Sequence, residues 1–270
     1  MTPTDVDAAA DAIGRSGWGD RRTRLAWSTS HPGCRPLVAE ADGTIIGTGM
    51  ATINGSVGWI GTIWVDPAWR GHGLGTALTQ AAIEVAEAAG CATLLLVATE
   101  AGQPLYERLG FRVQDRYRTM EAAGLATGEP DRRIRPFGAP DIAAMIALDG
   151  LATGEDRAHM LTALAASDTT RCLGSHDGTL GGFVIRAPWG GGATIAPDPE
   201  GALTILHARR LAAGPGRRVR AGVLETNQVG LNRLRHQGWV DAWQAPRLIR
   251  GEMPAWQPEA IWGQFDHAVG

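Results

Sequence analysis

The stretch Ile63-Trp-Val-Asp-Pro-Ala-Trp-Arg-Gly-His-Gly-Leu-Gly-Thr-Ala-Leu78 sets the fold class. An apolar, strand-like run breaks at Asp66-Pro67 and passes into an Arg-Gly-x-Gly-x-Gly turn. After the turn, Leu74, Leu78, Ala82 and Val85 recur at helical spacing. Strand, glycine turn and helix in that order bring the backbone N–H groups of Gly71, His72, Gly73, Leu74, Gly75 and Thr76 to a helix start. The first four donors of a helix lack intrahelical partners, and the helix dipole favours an anion there. The glycines do not have the G-x-G-x-x-G spacing of a dinucleotide loop, and a turn without lysine is not a Walker A loop. Glycine spacing alone leaves two readings, a phosphate-holding loop and a tight strand-to-helix turn.

Outward from this stretch, residues 5–13 and 21–27 carry short helical patterns. Residues 36–39, 44–50 and 57–65 form consecutive strands joined by glycine turns. Gly90 stands where the C-terminal cap of the 74–89 helix belongs. Residues 92–98 (Ala-Thr-Leu-Leu-Leu-Val-Ala) are apolar throughout, as in a strand covered on both faces. A short helix over 103–109 and a strand over 111–120 follow. No convincing strand precedes the early helices.

Arg70-Gly-His-Gly-Leu-Gly75 resembles the Arg/Gln-x-x-Gly-x-Gly/Ala loop of the GNAT superfamily of acyl-CoA-dependent N-acyltransferases. Leu105-Tyr-Glu-Arg-Leu-Gly-Phe111 resembles the Tyr-containing helix and strand start that follow in that family, with the 92–98 strand between them as the family requires. The resemblance implies that the amides of Gly71, His72, Gly73, Leu74, Gly75 and Thr76 hold the coenzyme A pyrophosphate and that Arg70 adds charge. It also implies that the main chain of Ile63, Trp64 and Val65 pairs with the pantetheine arm. Tyr106 is then the group facing the thioester sulfur, its phenol, with an ordinary pKa of about 10, donating a proton to the departing thiolate. Glu100, just after the buried strand, is the nearest carboxylate to the expected cleft and the candidate general base. Trp18, Trp27 and Trp59 are candidates for an apolar acceptor wall, while His31 and His72 fit turn and solvent positions better.

The second half repeats the first weakly. Residues 133–137 suggest a strand, 141–148 and 156–166 two helices, 171–176 and 179–186 a strand pair, and 193–196 a short strand. A helix over 200–213 and a strand over 219–224 follow. Gln228-Val-Gly-Leu-Asn-Arg-Leu-Arg-His-Gln-Gly-Trp239 echoes the segment 103–111: a helix, then Gly, then an aromatic. Duplication of one α/β domain accounts for this order economically. The turn Ile195-Ala-Pro-Asp-Pro-Glu-Gly-Ala-Leu203 lacks the glycine series, and its prolines remove donors. The expectation is an α/β chain, with mixed central sheets flanked by helices, made of two tandem GNAT-like domains. Residues 1–125 form the acyl-CoA-binding, catalytic domain, and residues 130–270 a divergent, non-catalytic one that closes with a strand after Pro258.

Composition agrees and excludes much. A chain of 270 residues with 44% hydrophobic and 20% charged residues has material for two cores. Its 25 basic residues are all arginine against 28 acids, for a net charge of −3, so neither nucleic acid nor an anionic membrane is an expected partner. The absence of lysine removes Schiff-base and kinase-type chemistry. Three widely spaced cysteines suit neither a disulfide framework nor a zinc cluster, and no metal is expected. No segment has the pattern of a signal peptide or a membrane span, which suggests a cytoplasmic location. The function expected is transfer of an acetyl group from acetyl-CoA to a small-molecule amine, by a monomer or homodimer. The alternatives are acyl transfer to a peptide or protein amine, and a non-catalytic acyl-CoA-binding module.

Overall fold

The structure is a computed structural model that describes residues 1–175 and 178–270. The first half runs α1 (Val6–Arg15), α2 (Arg22–Ser30), β1 (Cys34–Ala41), β2 (Thr44–Asn54), β3 (Val57–Val65), α3 (Leu74–Ala88), β4 (Thr93–Val97) and α4 (Gln103–Arg108). Then come β5 (Arg112–Ala123), β6 (Ile134–Pro136), α5 (Ile142–Thr153), α6 (Ala158–Leu164), β7 (Thr170–Gly174), β8 (Leu180–Ile185) and β9 (Thr194–Ile195). The chain ends with α7 (Pro199–Ala213), β10 (Arg218–Leu224), α8 (Gln228–His236), β11 (Val240–Gly251) and β12 (Ile261–Gly263). The expected strand over 171–176 is β7, ending at Gly174; His176 lies outside the described residues. Among the described residues no helix is long and apolar enough to cross a membrane.

The chain divides into two compact units that are not simple halves. The first holds Met1–Arg112, Leu248–Met253 and Asp266–Gly270; the second holds Val113–Arg247 and Pro254–Phe265. The expected boundary near residue 125 therefore falls at Arg112, because β5 lies between β11 and β10 of the second unit. The first unit has strand order β1-β2-β3-β4, completed by the end of β11. β2 is antiparallel to β1 and β3, whereas β3 and β4 are parallel. No strand precedes α1 among the described residues. The sheet borrows its last strand from the far end of the chain.

Two layers build the first core. Ala9, Ala12 and Ile13 of α1 lie on one helical face and pack with Leu25, Ile45 and Trp64. On the other side, Ala82, Ile83 and Ala86 of α3 meet Ala51, Ile60, Leu94, Leu96, Phe111 and Leu248. Each large aliphatic side chain buried this way stabilises by about 1.5–3 kcal/mol. In the second unit, α7 packs its Leu203, Ile205 and Leu206 against Val184, Met120, Val223 and Trp239. That unit carries the order β12-β9-β8-β7-β6 and the strands β11, β5 and β10. Trp239 and Trp262 are buried, whereas Trp243 is exposed.

β11 was not expected from the sequence. Pro246 sits inside it, and a proline, which donates nothing to a ladder, argues against a strand when read locally. The closing strand expected after Pro258 is only the three residues of β12; the chain beyond it leaves for the first unit.

Candidate functional site

β3 ends in a short 3-10 turn (Pro67–Trp69), capped by the Asp66 carboxylate, which accepts from Ala68 N at 2.9 Å. Arg70 Nε donates to the Val65 carbonyl at 3.1 Å, tying the turn back to the strand. Gly71 and Gly73 adopt φ of +81° and +80°, a left-handed conformation that strains other residues, and among the described residues nothing lies within 4 Å of where their Cβ would be. Gly73 is the N-cap of α3 and supplies no capping side chain. Among the described residues, no backbone carbonyl outside the helix accepts from the amides of residues 71–76. Arg70, Gly71, His72, Gly73 and Thr76 are exposed, and Leu74 and Gly75 half-buried. This helix start faces outward with its donors open, as an anion site requires.

The strand leading to it has an open edge. Among the described residues β3 pairs with β4 only from Val57 to Trp59, opposite Thr93 to Leu95, while on its other side it stays paired with β2 as far as Val65. In between is a bulge: Thr48 faces Trp64 but Met50 faces Gly61, and Thr62 takes φ +53°. A β-branched residue there costs about 1–3 kcal/mol and persists only where its surroundings hold it. Thr48 Oγ1 donates to the Thr62 carbonyl at 2.8 Å, and Arg24 Nη2, from α2, donates to Thr62 Oγ1 at 2.8 Å. Arg24 is 3% exposed, and its Nε lies 3.4 Å from the Asp266 carboxylate. Asp266 begins the C-terminal segment of this unit. Thr52 Oγ1 donates to the Ala268 carbonyl at 3.0 Å, and Asn54 Nδ2 to that of Val269 at 3.3 Å. Gly61 is pressed so close that an added Cβ would meet Ala268 Cα at 2.5 Å.

Around this frame the expected residues separate. Ile63 and Val65 are half-buried, while Trp64 is buried on the opposite side, donating its indole N–H to Ser16 Oγ at 2.7 Å. Tyr106 on α4 is half-buried, edge-on to Phe111 at 6.3 Å, and burial pushes its phenol up to about 12. Glu100 is exposed in the loop after β4. Trp59, considered for the acceptor wall, is core instead, fully buried with Val57, Leu95 and Ile249. Trp18 is exposed between α1 and α2; Trp27 stacks on His31 at 4.1 Å. His72 is exposed in the glycine loop.

Four residues of this frame escape sequence reasoning: Arg24, Thr62, Asp266 and His267. Burial holds the half-buried His267 imidazole below its ordinary pKa, with Asp266 opposing and Arg21 reinforcing the shift. The Asp266-His267 pair was a visible signal, but nothing local places it more than two hundred residues back, beside the first sheet.

The corresponding turn of the second unit is built differently. Asp198 caps α7 with its own carboxylate, accepting from Glu200 N at 3.3 Å and Gly201 N at 3.1 Å, and Pro199 at the first helical position has no N–H. The helix-Gly-aromatic echo is real geometry. Gly110 and Gly238 both take left-handed φ, and Phe111 N and Trp239 N both reach five residues back, to the Tyr106 and Leu234 carbonyls at 3.1 and 3.0 Å. Where one unit has Tyr106, the other has a fully buried leucine.

The acetyltransferase (GNAT) family matches residues 8–111. A glucosamine 6-phosphate N-acetyltransferase of Trypanosoma brucei brucei is 39% identical over 66 residues, 24% of this chain and 45% of that one. An acetyltransferase of Yersinia pestis (strain Pestoides F) is 31% identical over 101 residues, 36% of this chain and 72% of that one. The chain spans about half the length of the first curated relatives it matches, 45% and 56%. A crystal structure from Pyrococcus horikoshii, provisionally assigned as an acetyltransferase, superimposes with a TM-score of 0.85 at 20% identity, covering 100% of this chain and 94% of that one. A tandem GNAT protein from the clavulanic acid biosynthesis pathway does so with 0.62 at 12% identity, covering 94% and 98%. At these identities the structural likeness is one of fold.

Proposed function

Because this chain belongs to the acetyltransferase (GNAT) family, we propose that it transfers an acetyl group from acetyl-CoA to a primary amine of a small molecule, by direct attack with both substrates bound. The observation that carries this is an open strand edge leading into an open helix start. Among the described residues β3 has no partner on its β4 side beyond Trp59, and the strand runs into the uncapped amides of residues 71–76. A donor with an extended amide arm and a pyrophosphate matches both parts: the arm adds to the edge of residues 63–65, and the pyrophosphate accepts from Gly71 to Thr76 beside Arg70.

Acetyl-CoA supplies an electrophilic acyl carbon and a thiol leaving group. The chain supplies position and proton management. Tyr106, with its phenol raised to about 12, stays protonated across the working range and has a proton to give to the sulfur. An ammonium acceptor must lose a proton before its nitrogen attacks, and two groups of the first unit suit that step. Glu100 is a solvated carboxylate; His267 is an imidazole kept neutral at pH 7 by its depressed pKa. We assign the acyl-CoA site to the first unit and read the second unit, Val113–Arg247 with Pro254–Phe265, as a divergent GNAT copy without one.

The test is release of free thiol from acetyl-CoA in a screen of amines. Turnover with small primary amines supports this reading. Turnover with peptides alone favours the protein-amine alternative, and binding without turnover on any amine favours the non-catalytic module. His267→Gln and Glu100→Gln then separate the two bases. The base responsible is the one whose loss removes the acid limb of kcat/KM, which for His267 lies below pH 6.5 because its folded pKa is lowered.

A further inference from the structure

The second unit contains a cavity of about 970 Å³ under the C-terminal half of α7, between β6, β7 and β8 on one side and the start of β10 on the other. Its size suits a ligand as large as a nucleotide. Six arginines line it: Arg171, Arg186, Arg209, Arg217, Arg218 and Arg220. Among the described residues only two acids do so, Glu121 and Asp168. The concentration is local, because residues 126–270 as a whole carry 15 arginines and 15 acids.

Glu121 is committed to Arg218 and Arg220. Arg171 spends its Nη1 on the carbonyls of Ser167 and Thr170, at 2.8 and 2.9 Å, and Arg209 its Nη1 on the Arg220 carbonyl at 2.9 Å. Among the described residues, Arg171, Arg186, Arg209 and Arg217 have no carboxylate within ion-pair distance. Arg209 shows the consequence: burial, reinforced by the nearby Arg186 charge, lowers its guanidinium to about 10. An arginine in that condition is held beside like charge without compensation, which solvated surface arginines avoid. The floor between the arginines is apolar, formed by Ile134, Val184, Ile205 and Val219. Clustered guanidinium groups match phosphoryl oxygens in geometry as well as charge, since each presents a planar fork of donors.

We propose that this cavity is a binding site for an organic phosphate, a ligand with at least two phosphoryl charges for the arginines and an apolar body for the floor. It is independent of the helix start at Gly71–Thr76, and it does not require that the first unit be catalytic.

The experiment is calorimetric titration of the full chain with ADP and with inorganic pyrophosphate. It is done in the unaltered protein, in Gly75→Glu, which places a carboxylate in the other anion site, and in Arg186→Gln/Arg209→Gln. Hydrogen exchange locates the bound probe. The expected result is ADP binding that persists in Gly75→Glu, weakens tenfold or more in the arginine double variant, and protects residues 168–171 and 205–220. ADP should bind more tightly than pyrophosphate because only ADP reaches the apolar floor. If the double variant does not fold, Arg217→Gln on the exposed rim and the exchange footprint of the unaltered chain give the same decision. Loss of all binding in Gly75→Glu, unchanged affinity in the arginine variants, or protection elsewhere overturns the proposal.

Discussion

α3 and α7 occupy the same place in their units, each the long helix that follows a strand and a turn, yet their first turns are opposites. At α3 the chain leaves the helix start open: glycines at left-handed φ, no capping side chain, and amides facing outward. At α7 it closes the helix start on itself, with Asp198 accepting from two amides and Pro199 removing a third donor. A helix N-terminus is an anion site only where the chain declines to satisfy it. Asp198 already fills, with its own negative charge, the position a pyrophosphate would take. A second difference follows two elements later, where the phenol of Tyr106 corresponds to buried Leu234.

This contrast can be broken, and the largest effect is expected at the phenol. Tyr106→Phe should lower kcat by about 10²–10⁴ while leaving coenzyme affinity nearly intact, because the hydroxyl acts on charge that develops only as the thiolate departs. Steady-state kinetics beside direct CoA titration measures both quantities; an unchanged kcat with chemistry limiting would reduce Tyr106 to packing, the role Leu234 plays. The sign of its pH dependence also follows. With the phenol raised to about 12, no alkaline limb from Tyr106 should appear below pH 10.

Next in size is the helix start. Gly75 has ordinary helical φ, and a Cβ there would meet Leu105 at 3.5 Å, an ordinary contact. An acid in the first turn favours the helix dipole, so Gly75→Glu should fold at least as well while weakening CoA binding more than tenfold, about 1.4 kcal/mol. Calorimetry should give one CoA per chain in the unaltered protein. Two would mean that the Asp198 cap yields to phosphate and that the contrast is false.

An effect of similar size, on stability rather than binding, tests the segment the first unit borrows. Gly61→Ala forces a Cβ to within 2.5 Å of Ala268 Cα, so residues 266–270 must shift, at a cost of about 1–3 kcal/mol measurable by denaturant unfolding. If stability is unchanged, that segment is not part of the first core. Smallest is Asp198→Ala, which should cost about 1 kcal/mol as a lost N-cap and still create no CoA site, since Pro199 remains.

How much of this was legible varies with how local the determinant is. Residues 57–65 and 74–88 were visible because period-two and helical patterns meet at a glycine turn within a single stretch. The sequence leaves Trp59 open because an aromatic on a strand before a cleft looks the same whether it faces core or ligand; the Val57, Leu95 and Ile249 packing decides it. Arg24, Thr62 and Asp266 were invisible as a group, since one comes from an early helix, one from a bulge and one from the C-terminal segment.

The sequence by itself determined the open helix start, the phenol that follows it and the lack of both features in the second unit, because glycine, proline and a capping acid act through bonds within a few residues of themselves. Only the tertiary structure decided which strands complete which sheet. β5 went to the second unit, and the end of β11, with residues 266–270, went to the first. Strand edges specify a partner through register and packing rather than through any local pattern, so residues far apart in the chain were free to complete one sheet.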